Sequence, residues 1–143
     1  MNISRHLCRE FALQTLFTWF YYDQQKSAKQ ILEALALHYF HYEVQDLLFS
    51  LAIVEGVENH MESLRAIIER FAPEWPFEKI SLLDRGILSI GIYEILYNEE
   101  VPDVVAINEA IELGKKFGDE ASPKFVNGVL NNVMQHKEEL LAS

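Results

Sequence analysis

Cysteine is almost absent. Cys8 stands alone, which excludes an internal disulfide and any multi-cysteine metal site and suits a reducing cytosol. Long apolar runs are missing as well. The stretch from Leu82 to Tyr97 is interrupted by Asp84, Arg85 and Glu94, whereas a membrane-crossing helix needs about 20 mostly apolar residues. Arg5, His6 and Arg9 come with no apolar secretory segment ahead of them. The expected location is the cytoplasm.

Catalytic signatures are also lacking. No serine sits in a G-x-S-x-G elbow, no P-loop or G-x-G-x-x-G occurs, and nothing links Cys8 to a histidine motif. His38 and His41 have the helical spacing of two metal ligands. Tyr39, Phe40 and Tyr42 lie among them, so the pair reads as the edge of a packed region. The many carboxylates read as a solvated face, since nothing marks one as buried beside another.

Positive charge is scarce, with 12 Lys and Arg against 22 Asp and Glu for a net charge of -10. Glu94, Glu99, Glu100, Asp103, Glu109 and Glu112 follow one another without a Lys or Arg between them. Such a face repels phosphates and favours a basic partner. A purely solubilising role is the plainer alternative.

What is present is helical pattern. At 143 residues the chain has the length of one ordinary domain, and strand signals are few. Apolar spacing predicts an all-α fold with helices near 4–22, 27–40, 43–71, 82–98, 104–117 and 123–139. Pro73 and Pro76 bracket Trp75 and divide two helical halves, about 1–72 and 77–143. The 82–98 segment is apolar on all sides, the mark of a helix covered by several neighbours. Ser81 and Asp84 before it resemble a capping box.

The stretch A-S-P-K-F-V-N-G-V at 121–129 puts Ser122 at the expected N-cap and Pro123 at the first turn. Lys124 and Asn127 then lie near a helix N-terminus, where free N–H groups favour an anion. Arg5 and Arg9 stand one turn apart, and Leu13, Leu16 and Phe20 continue their line. The arginines are therefore expected on an exposed extension of a buried face. If the fold brings them beside Lys124 and Asn127, they form one modest basic patch.

The runs L-D-R-G-I-L-S-I-G-I-Y-E-I-L-Y, V-A-I-N-E-A, E-L-G-K-K-F-G and K-F-V-N-G-V-L, in this order, closely resemble the C-terminal half of NusB, the bacterial transcription antitermination family. C-R-E-F-A-L-Q-T-L-F-T-W is similar to the family's first helix, and the middle, about 23–75, matches in helical pattern. The resemblance implies an all-helical fold of two small bundles, with no catalysis and no cofactor. It implies binding to the boxA element of ribosomal RNA transcripts together with NusE, a small-subunit ribosomal protein, in a complex with other Nus factors on RNA polymerase. By resemblance, Arg5, Arg9, Phe17, Lys124, Phe125 and Asn127 contact RNA, and Asp84, Tyr93, Glu94, Tyr97 and Glu100 face NusE. Monomer and homodimer both remain open.

Three departures from the pattern stand out. Fewer basic residues precede the first helix than in many relatives, Ala121 replaces a common acidic residue, and Ser89 replaces a common basic one. Weak RNA binding by the isolated chain, strengthened by NusE, is the resulting expectation. The plain readings are partial burial for Phe125, a carboxylate partner for Arg9, and close helix approach at Asn127 and Gly128. Two rivals remain: an RNA-binding appendage of a ribosomal RNA methyltransferase, without its catalytic domain, and a protein-only adaptor for NusE.

Overall fold

The structure, a computed structural model, describes residues 3–142. Among these, eight α-helices and no strand occur. The chain divides into two compact units, Met1–Asn59 and His60–Ser143, so the Pro73–Pro76 corner lies inside the second.

In the N-terminal unit, α1 (Arg5–Tyr21) begins at Ser4, whose Oγ accepts the Leu7 N–H at 3.1 Å. It ends in a turn in which Asp23 and Gln24 take left-handed conformations, at φ 56° and 62°. The second helix, α2 (Ala28–Leu35), opens with a full capping box between Ser27 and Gln30. It runs on into a π-helical turn, Ala36–Phe40, which His41 closes at φ 60°. After a short 3₁₀ turn at Val44–Asp46 comes α3 (Leu48–Asn59).

The first helix packs on both α2 and α3. Leu13, Leu16, Leu32 and Ile53 are fully buried, each contributing roughly 1.5–3 kcal/mol relative to exposure. Two polar ties cross this packing. Ser50 Oγ donates to the Cys8 carbonyl at 2.7 Å, and Glu58 accepts the Ala28 N–H at 3.0 Å.

The C-terminal unit holds α4 (Met61–Phe71), α5 (Leu82–Tyr97), α6 (Asp103–Phe117), α7 (Ser122–Gln135) and α8 (Lys137–Ala142). As its all-round apolar sequence predicts, α5 is enclosed by α4, α6, α7 and α8. Helices α5 and α7 approach closely at Gly91, where a Cβ would lie 2.5 Å from Leu130 Cδ1. Ion pairs fasten α8: Lys137 to Asp103 at 2.9 Å and Glu139 to Arg70 at 2.7 Å.

Between α4 and α5 the chain is held by arginines. The guanidinium groups of Arg65 and Arg85 each lie 4.9 Å from the Phe77 ring centroid. Arg85 also donates to the carbonyls of Ile80 at 2.8 Å and Glu78 at 2.7 Å, while Arg65 pairs with the Glu78 carboxylate. A backbone hydrogen bond and then Arg65 hold that exposed carboxyl below its usual range.

Two expected helices are broken. The 43–71 segment divides at His60, and 123–139 divides at His136, whose N–H is shared by the Asn132 and Val133 carbonyls. Both segments keep helical apolar spacing through the break, which explains why periodicity alone joined them. Ser122 is not the N-cap. It is the first residue of α7, and the Asp119 carboxylate accepts the N–H groups of Ala121 and Ser122 at 2.8 and 3.1 Å.

Candidate functional site

In the N-terminal unit, Arg5 and Arg9 both lie over the ring of Phe49, at 4.9 and 5.0 Å. Arg5 is exposed, whereas Arg9 is buried with 3% of its surface accessible. The expectation that both arginines are exposed is therefore corrected for Arg9. It lies on the line of the buried Leu13 and Leu16, and its guanidinium packs on Phe49 of α3. Farther along α1, Phe17 is part-exposed and stacks with the exposed Tyr21 at 6.4 Å.

In the C-terminal unit, the capping hydroxyl of Ser81 accepts the Asp84 N–H at 3.1 Å. The Asp84 side chain does not complete the box. It is buried, and its Oδ1 has no hydrogen-bond partner among the described residues. Burial raises the Asp84 pKa, and the nearby Asp119 charge adds to the rise, while the Ser122 and Ser81 hydroxyls oppose it. Asp84 lines a cleft of about 310 Å³ with Trp75, Lys79, Ser81, Asp119 and Phe125. A lining that combines two carboxylates with two aromatic side chains suits a planar donor group.

The family resemblance implies an RNA contact for Phe125 and a protein contact for Asp84, yet both line this one cleft. Sequence reasoning missed Trp75, Lys79 and Asp119 as members of it. Their proximity is tertiary, although the two prolines flanking Trp75 mark it as a corner residue.

On the helix that carries Phe125, Lys124 and Asn127 are exposed. Asn131 donates to the Asn127 carbonyl at 2.8 Å, and Asn132 donates to the Gly128 carbonyl at 3.2 Å. Gly128 does not serve close helix approach, because a Cβ built there meets no other element within 4 Å among the described residues. Along α5, Tyr93 is half-buried and burial raises its pKa. Tyr97 is part-exposed and stacks on His60 at 3.9 Å. Glu100 is exposed. Glu94 is fully buried and does not belong to a partner-facing surface, because α5 is enclosed on its side too.

The NusB family model matches residues 6–135. The chain belongs to the NusB family.

A NusB transcription antitermination protein of Dehalococcoides mccartyi is 38% identical over 136 residues, covering 93% of this chain and 91% of the relative. The one from Bacillus subtilis is 38% identical over 137 residues, covering 96% and 99%. Among solved structures, T. maritima NusB superposes with a TM-score of 0.86 at 27% identity, covering 100% of both chains. A chain of the crystal structure of a plectonemic RNA supercoil shares the fold, with a TM-score of 0.81 at 22% identity and coverage of 97% and 98%. The all-α NusB fold expected from sequence is therefore the observed one. NusB proteins are non-enzymatic factors of transcription antitermination, and this chain shares that role. No helix among the described residues is long and apolar enough to cross a membrane.

Proposed function

We propose that this NusB-family chain binds the boxA segment of ribosomal RNA transcripts together with NusE, in the cytoplasm, within the complex of Nus factors on RNA polymerase. The observation that carries the RNA half is the composition of α7. Lys124 is the one charged residue between Ser122 and Gln135, in a chain of net charge -10. A helix so free of carboxylates, with exposed Lys124 and Asn127, tolerates a phosphate backbone that the rest of the surface repels.

In this reading Arg5 and Phe17 of the N-terminal unit contact RNA, as do Lys124, Phe125 and Asn127 of the C-terminal unit. Unstacked bases would lie on Phe17 and Phe125. Arg9, buried beneath Phe49, acts by holding that ring and Arg5 in place. NusE is held by Asp84, Tyr93, Tyr97 and Glu100, and it supplies the positive charge that this chain lacks. The raised pKa of Asp84 and its unpartnered oxygen support a cationic partner there, since a cation would relieve both.

The burial of Arg9 also favours a second reading, in which the chain is an adaptor that holds NusE and contributes little RNA affinity. A gel-shift series with boxA RNA, with and without NusE, separates the two. Weak binding alone, strengthened by NusE and reduced by Lys124→Ala, is the expected result. Tight binding without NusE contradicts the proposal, and so does none with it. Strengthening that Lys124→Ala leaves intact supports the adaptor.

A further inference from the structure

Glycine in the interior of a helix is unfavourable relative to alanine, so a reason for it is sought in the packing. Gly91 has one, because Leu130 occupies the space where its side chain would stand. Gly128 has none. It lies in the seventh position of the 14-residue helix α7, and among the described residues nothing beyond its own helical turn approaches within 4 Å of the place where its Cβ would be. The bare backbone faces outward, and the residue is exposed.

The polar side chains around it are one cation and three amides. Lys124 and Asn127 precede Gly128, and Asn131 and Asn132 follow it, with no carboxylate anywhere from Ser122 to Gln135. Asn131 and Asn132 are tethered to the helix by bonds to the Asn127 and Gly128 carbonyls, which keeps them low on either side of the gap. The result is a shallow saddle on a helix, floored by main chain and rimmed by a cation and amides. Amides offer both donors and acceptors, and the absence of negative charge favours a polyanion over a basic protein.

We infer that a single-stranded RNA segment crosses α7 at Gly128, in van der Waals contact with the helix backbone, and that the missing side chain is what admits it. The inference rests on the proposed RNA binding and adds a contact point to it. Its consequence is unusual, because filling the gap improves the helix while harming the function.

The test uses the full chain with NusE and a fluorescent boxA RNA, comparing Gly128→Ala and Gly128→Gln with the original. Both variants should keep or raise the thermal midpoint, since no neighbour is displaced. RNA binding should weaken severalfold for Ala and by about tenfold or more for Gln, the latter equivalent to about 1.4 kcal/mol. Unchanged RNA affinity in both variants overturns the contact while leaving the RNA reading intact. Loss of NusE binding with RNA affinity retained overturns it in favour of a protein at the saddle. No RNA binding by the original chain, even with NusE, overturns the contact and the RNA reading together.

Discussion

Asp84 places a carboxylate oxygen inside the C-terminal unit without a hydrogen-bond partner. Its folded pKa is raised, first by burial and then by Asp119. For an acid this sign means that the charged form is disfavoured in the native state. The resulting cost is present in full above the folded pKa and vanishes once pH falls below the ordinary carboxylate range. Asp84→Asn should therefore raise the thermal midpoint near pH 7 and make little difference at pH about 3. Melting curves across that range check this, and an equal shift at both ends would contradict it. The same variant should weaken NusE binding, so stability and function part company at this residue. Sequence suggested Asp84 as a helix-start residue and a partner contact. Its burial was not legible, because the groups that surround it, Trp75, Phe125 and Asp119, come from other segments. Arg9 carries the same lesson: it is buried, and Phe49, 40 positions away, packs against its guanidinium.

At the scale of elements, the crossing of α5 and α7 depends on Gly91. Leu130 is fully buried, so any shift of its side chain has to be taken up by the surrounding core, and Gly91→Val should destabilise the fold by about 2 kcal/mol through overpacking. Urea denaturation would show it, and a loss well under about 0.5 kcal/mol would mean that the crossing relaxes more readily than its geometry implies. Where the chain's periodicity and punctuation agree, element type was readable from sequence: α1, α5 and α6 lie within a residue of the expected bounds. Where a helix stops without glycine or proline, as at His60 and His136, the pattern continued and the break was invisible. The same holds for the π-helical turn after α2, where Phe40 is held by stacking on Phe11 at 4.0 Å.

For the whole molecule, charge sets the style of binding. The net charge of -10 opposes RNA at long range, and few cations are positioned to neutralise phosphates. With two or three such contacts, the slope of log affinity against log salt for the isolated chain should be shallow, about -1.4 to -2 for a single strand. Titrations by anisotropy at several salt concentrations measure it directly, and a slope steeper than about -4 would require a basic surface that the sequence does not contain. NusE should steepen the slope as it brings its own cations.

Cys8 lies in the core of the N-terminal unit, with 2% of its surface accessible. A thiol so enclosed is poorly reachable by maleimide and by oxidants. The protein is thus ready for site-selective dye attachment as it stands. A cysteine introduced on the outer side of α7 would carry the label almost alone, and passage of the transcript over that helix could be followed by quenching.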